Sequence, residues 1–208
     1  MRENGRLGPI EWATAGRPLP GEHVSGDQPI AMGIAGDSAL FGVMDGLGHG
    51  PAAATAALRA VDALQRARTD RVEVLIQLCH RVLVGTRGVA MTLARVDFAT
   101  STLTWAGVGN VSANLVAKGA TGIHIRSSAR LAAGIVGYRI PEIRSAEVVS
   151  LRAGDLIVIA TDGITEDHLD HIDFAASATV IAAEILGKHA KESDDAMVLT
   201  ARHRGAST

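Results

Sequence analysis

Cysteine, aromatic residues, lysine and long apolar runs are all scarce in this chain of 208 residues, and each scarcity removes a class of function. Cys79 is the only cysteine, so no internal disulfide and no multi-cysteine zinc site can form, and a reducing compartment is expected. Aromatics make up 3% of the residues, too few for the stacking platforms that hold single-stranded nucleic acid. The formal charge of -2 gives no electrostatic footprint for a phosphate backbone, so nucleic acid is not an expected partner. Lysine occurs only at Lys118, Lys188 and Lys191, and the more numerous arginines are scattered rather than clustered. No stretch approaches the roughly 18 uninterrupted apolar residues of a spanning helix, and the opening MRENGRLGPIEWATAGRPLPGEH has no apolar run of signal-peptide length. A cytoplasmic protein without membrane association is expected.

What is present is material for a core. Residues are 47% hydrophobic and 20% charged, which argues against disorder, and the length favours one domain spanning 1–208. Two apolar runs, PIAMGIAG and SALFGVM, flank the turn-like Gly36-Asp37-Ser38 and predict a hairpin. After DGLGHG, Ala54, Ala57, Leu58, Val61 and Leu64 recur at helical spacing, with Pro51 suited to the first turn. Asp70 and Glu73 resemble a capping box ahead of a second helix with a stripe of Leu75, Leu78, Cys79 and Val82. From Gly88 the pattern changes to short strands, VAMTLARV, TLTWAGV and VSANLVA, followed by EVVSL and DLIVIAT. A helix around Phe174 to Leu186, a polar loop and a last strand, AMVLTAR, complete the order, while 118–145 carries little pattern. Strands and helices do not alternate regularly, which predicts an α+β sandwich of antiparallel sheets.

Acids stand at the edges of these strands: Asp27 in SGDQ, Asp45 in VMDGLGHG, Asp162 in IATDGITE, and Asp194-Asp195 before the last strand. Any one Asp-Gly is more often a turn than a site. Together, several carboxylates on one rim of a sandwich make an oxygen-rich site for hard divalent cations. DLIVIATDG carries the most information, because a buried central strand ending in an acid leaves a carboxylate whose burial is costly unless something pairs it. Two cations close together activate water and clamp a phosphoryl group, so phosphate-ester hydrolysis is the chemistry such a rim suits.

In that order, VMDGLGHG, WAGVGN, IATDGITE and SDDAMVLTAR resemble bacterial protein phosphatase 2C enzymes of the SpoIIE type, over about residues 25–202. The chain looks most like the family's short stand-alone members in stress signalling. The resemblance implies an αββα sandwich and a serine/threonine protein phosphatase with two manganese or magnesium ions. It implies Asp45 as the bridging carboxylate, the Gly46 carbonyl as a further ligand, Asp162 and Asp194 on one ion, and Asp27 on the other, directly or through water. Asp45, Asp162 and Asp194 would be the catalytic set, and Asp195 would lie behind them. Many relatives carry an acid just before the equivalent of Asp27, where this chain has Gly26, which implies a weaker or more hydrated metal position. The implied substrate is a phosphorylated STAS-domain regulator of a sigma-factor or stressosome pathway.

Other residues have weaker claims. His49 is placed to protonate a leaving group, or simply to bond the loop or cap the helix start. His168 and His171 are expected on a solvated loop or helix end, and Cys79 is expected to be buried. DGLGHG lacks the GK[ST] ending of a phosphate-binding loop, which argues against a nucleotide-binding protein. The remaining alternative is a catalytically silent phosphatase fold that binds a signalling partner.

Overall fold

The computed structural model describes all residues except 35, 36, 68, 70, 121, 144, 145, 171 and 206–208. An N-terminal hairpin of β1 (Arg2–Leu7) and β2 (Ile10–Arg17) precedes the predicted hairpin of β3 (Asp27–Ile34) and β4 (Ser38–Gly46). The helices α1 (Gly50–Gln65) and α2 (Val72–Val82) follow. Next come β5 (Val89–Asp97), β6 (Thr102–Val108), β7 (Ser112–Gly119), β8 (Gly122–Ser128), the short β9 (Leu131–Ala132), β10 (Glu147–Ser150) and β11 (Leu156–Ala160). A 3-10 turn at Glu166–Leu169, α3 (Ala178–His189) and β12 (Ala196–His203) end the chain.

One sheet has the order β1-β2-β12-β11-β7-β8 and the other β10-β6-β5-β4-β3. Every pairing is antiparallel except that of β9 with β6. The two sheets stack face to face, with α1 and α2 over one outer surface and α3 over the other, giving the expected αββα layers.

Strand periodicity shows why the central runs are so apolar. In β11, Ile157 and Ile159 point into the core between the sheets, while Leu156, Val158 and Ala160 point into the core under α3. In β4, Phe41 and Val43 face the other sheet, while Leu40 and Met44 face α1 and α2. Strands covered on both faces lose the apolar-polar alternation and read as continuous hydrophobic segments. Among the described residues, no helix is long and apolar enough to cross a membrane.

The helices deviate from the predicted stripes. Leu58 is 52% exposed, and the buried face of α1 is mostly alanine, including Ala53, Ala56, Ala57 and Ala60. Small side chains let this helix lie close to the sheet, so leucine spacing does not define its inner face. The buried face of α2 runs through Val72, Leu75, Ile76 and Cys79, leaving Val82 outside at 44% exposure. Asp70 lies outside the described residues; Arg71 takes the N-cap position and pairs with Glu73, in place of the predicted capping box.

Candidate active site

Both sheets deliver acids to the same end of the sandwich. Asp27 opens β3 directly opposite Asp45 near the end of β4. In the other sheet, Asp162 follows β11 and Asp194 precedes the adjoining strand β12. Asp45 responds electrostatically to Asp162, Asp194 and Asp195, and Asp27 to Asp45, Asp195 and Asp194.

These carboxylates are electrostatically frustrated. Burial, then repulsion from Asp45, pushes Asp27 well above the usual carboxylate range, although the Thr161 hydroxyl opposes the shift. Burial, followed by repulsion from Asp162 and Asp194, raises Asp45 from 3.8 to about 7, with hydrogen bonding to the neighbouring Asp27 carboxyl opposing the shift. Burial also raises Asp194, against the Asp195 N–H that stabilises its charge. Desolvation and like charges act here in the same direction.

The supporting hydrogen bonds separate two neighbouring acids. Asp195 is 3% exposed, and its two oxygens accept the N–H groups of Leu19 at 2.8 Å and Gly26 at 2.9 Å. That geometry makes Asp195 an anchor for the 18–26 loop. The Asp194 carboxylate accepts the Asp195 N–H at 2.9 Å and remains half-buried at the rim. Asp162 accepts Asn110 Nδ2–H at 2.7 Å, while Lys191 Nζ donates to the Asp162 carbonyl at 2.6 Å. Thr161 Oγ1 donates to Asp27 at 2.9 Å and accepts the Met197 N–H at 3.0 Å, joining the sheets beneath the site.

Three glycines permit the approach. A Cβ on Gly46 would lie 2.2 Å from the Ala53 carbonyl oxygen, and one on Gly163 only 1.8 Å from that of Asp195. At Gly26, a Cβ would meet the Ala53 side chain at 2.9 Å and the Asp195 carboxylate at 3.0 Å. An acidic side chain at position 26 therefore has no room here unless α1 moves.

Among the described residues, no group of three or more acid, histidine or cysteine side chains is gathered closely enough to hold a metal ion by itself. Hard divalent cations also take carbonyl and water oxygens. Asp27, Asp45, Asp162, Asp194 and the Gly46 carbonyl all offer oxygen donors, the chemistry such ions take.

The histidines and the cysteine fall outside this set. His49 Nδ1 meets Glu22 Oε1 at 2.7 Å at the start of α1 and makes no side-chain cap. His168, predicted to be solvated, is only 6% exposed; its Nδ1 meets the Thr165 carbonyl at 2.7 Å, and burial lowers its pKa. His171 lies outside the described residues. Cys79 is buried as predicted, and burial raises its thiol to about 12. Sequence reasoning missed Thr161, Asn110, Lys191 and Glu22, although Thr161 and Asn110 both lie inside recognisable motifs.

Comparisons with known proteins bear on the family and the fold. A family model described as stage II sporulation protein E (SpoIIE) matches residues 35–206. A solved structure described as "The bacterial stressosome: a modular system that has been adapted to control secondary messenger signaling" is 32% identical, with a TM-score of 0.78 over 93% of this chain and 99% of that one. RsbX in complex with magnesium is 19% identical, with a TM-score of 0.80 over 97% of this chain and 99% of that one. The phosphatase domain of Bacillus subtilis SpoIIE, solved with a fragment of its regulatory domain, is 18% identical, with a TM-score of 0.69 over 97% of this chain and 70% of that one. Among curated proteins, no sequence matches significantly. The chain belongs to the SpoIIE family of protein phosphatase 2C-type serine/threonine phosphatases.

Proposed function

We propose that the chain is a metal-dependent phosphoserine/phosphothreonine phosphatase acting on a phosphorylated regulator, of the STAS-domain class, in bacterial stress signalling in the cytoplasm. Asp27, Asp45, Asp162, Asp194 and the Gly46 carbonyl would hold two manganese or magnesium ions. The observation that carries this reading is the Asp27–Asp45 pair, two buried acids directly opposite each other in the β3–β4 register, with Asp162 and Asp194 adding charge from the other sheet. Similarity to RsbX solved with magnesium and to a stressosome structure supports the metal and the signalling context.

When bound, the cations supply acidification of water and neutralisation of the phosphoryl oxygens. The chain's own residues give the site its shape. Thr161 holds Asp27 from below, Asn110 fixes one oxygen of Asp162, and Asp195 ties down the 18–26 loop at the rim. With its carboxylates engaged as ligands to the cations, the site would suit direct attack of water on phosphorus without a covalent enzyme intermediate.

The test is hydrolysis of para-nitrophenyl phosphate with manganese, with magnesium and with chelator, beside Asp45→Asn, followed by a phosphorylated STAS-domain protein. Metal-dependent turnover lost in the variant is expected. A folded protein that binds metal and a signalling partner but turns over neither substrate would replace this reading with that of a silent binding module.

A further inference from the structure

A groove of about 520 Å³ lies between the outer face of α1 and the loop after α2, lined by Ala52, Thr55, Arg59, Gly85, Thr86 and Arg87. Its inner end adjoins the metal-site loop. Arg87 Nη1 would be 2.8 Å from a Cβ on Gly48 and donates to the Leu47 carbonyl at 3.5 Å, just beyond Asp45 and Gly46. The Leu47 N–H in turn bonds the Gly88 carbonyl at 3.1 Å, fixing the two loops together.

The lining is cationic without internal compensation. Among the described residues, neither Arg59 nor Arg87 forms a salt bridge; Asp62, the next acid along α1 from Arg59, is taken by Arg66 at 2.7 Å. The two hydroxyls are also occupied: Thr55 Oγ1 donates to the Pro51 carbonyl and Thr86 Oγ1 to the Leu83 carbonyl, each at 2.7 Å. Small residues at Ala52 and Gly85 leave space between the guanidinium groups.

We propose that this groove receives an acidic segment flanking the phosphorylated residue of the protein substrate, with Arg87 engaging the positions nearest the phosphate and Arg59 those further out. The proposal rests on the phosphatase reading above and adds a substrate preference to it. A guanidinium pairs with a carboxylate through two parallel hydrogen bonds, and complementary charge also steers encounter. From Ala52 to Arg59, α1 rises about 10 Å, which an extended peptide spans in about three residues. An acidic stretch of about three extended residues would therefore run the length of the α1 wall of the groove.

The experiment measures phosphate release from matched phosphoserine peptides by the manganese-loaded full chain. One peptide carries Asp and Glu around the phosphoserine, and the other carries Asn and Gln. The wild type is expected to favour the acidic peptide about tenfold in kcat/KM, less at high salt. Arg59→Glu and Arg87→Glu are expected to abolish or invert that ratio, while Arg87→Lys keeps part of it. Both side chains are exposed, and thermal melts verify that the variants fold.

Equal rates for the two peptides, or a preference that survives both charge reversals, would overturn the proposal. Turnover of para-nitrophenyl phosphate by the wild type, without an acidic preference, would overturn the groove and leave the phosphatase reading standing. If no substrate is turned over, fluorescence anisotropy of the labelled acidic phosphopeptide reads the groove by itself. Saturable binding lost in Arg59→Glu supports it, and no binding overturns it.

Discussion

Thr161 Oγ1 lies 2.9 Å from Asp27 Oδ2 and 3.0 Å from the Met197 nitrogen, so one hydroxyl connects the carboxylate that opens β3 to the backbone of β12. Asp27 is 1% exposed and depends on this donor for its orientation and for part of its charge stabilisation. Replacement by valine keeps the volume and removes both bonds. Thr161→Val is expected to cost about 1–3 kcal/mol of stability, because it leaves buried polar groups unpaired. It is also expected to weaken manganese activation by about 10–100-fold, the usual effect of losing a bond that orients a ligand. Manganese titration of phosphatase activity, with a melt of the chelated protein, measures both effects; unchanged metal activation would refute the orienting role.

The shifted carboxyls predict an inverted pH dependence for the metal-free protein. Asp45 titrates at about 7 in the folded chain against 3.8 normally, and Asp27 is raised well above its normal value. Between pH 4 and 7 the folded chain therefore binds more protons than the unfolded chain, and stability falls as pH rises. The Asp45 part of the loss is complete above about pH 7. In chelator, Tm is expected to drop by several degrees from pH 5 to 7.5, and manganese at pH 7.5 is expected to restore it. Asp45→Asn should raise the metal-free Tm at pH 7.5 and flatten the profile. A chelated wild type whose Tm rises across this range would contradict the electrostatic account.

Much of the fold was legible because strand and helix periods were clear in the middle of the chain. The β3–β4 hairpin, the helical pair and the runs of β5, β6, β7, β11 and β12 stand near their predicted positions. The N-terminal hairpin escaped notice because β1 is the polar RENGRL at a sheet edge, mostly exposed, and β2 meets α3 through the small Ala13 and Ala15. The segment holding β8 and β9 has little burial to impose a pattern. At the site, acids after strand-like runs were visible, whereas their supports depend on contacts remote in sequence. Asp195 to Gly26 spans 169 positions, and His49 to Glu22 spans 27. Neither periodicity nor local turn chemistry reports such contacts.

Gly163 gives a steric prediction at the Asp162 turn. A Cβ there would stand 1.8 Å from the Asp195 carbonyl oxygen, a backbone atom in the facing segment. The turn and the start of β12 must separate to admit even alanine, which would disturb Asp162 and Asp194 together. Gly163→Ala is expected to lower Tm by about 5–10 °C and to reduce activity more than the lost folded fraction explains. Circular dichroism melts and the specific activity of the folded protein distinguish the two effects. A variant with wild-type melting and activity would show that this close approach is not required.

Arg126 and Asp155 allow stability to be changed away from the acid rim. Asp155 is 4% exposed; it pairs with Arg126, and its Oδ2 also accepts the Arg152 N–H at 2.8 Å, tying β8 to the start of β11. The five residues of β11 place about 17 Å of strand between this pair and the Asp162 turn. Asp155→Ala would leave a largely enclosed guanidinium without its carboxylate, and breaking such a pair typically costs about 3–5 kcal/mol. For a chain of this size that corresponds to a Tm lower by about 6–15 °C. Below the new transition, kcat with manganese and para-nitrophenyl phosphate is expected to stay within about twofold of wild type, because distant sites act nearly independently. Thermal melts and assays at 15 °C test this separation, and a large fall in kcat at full foldedness would show that the two ends of the sandwich are coupled.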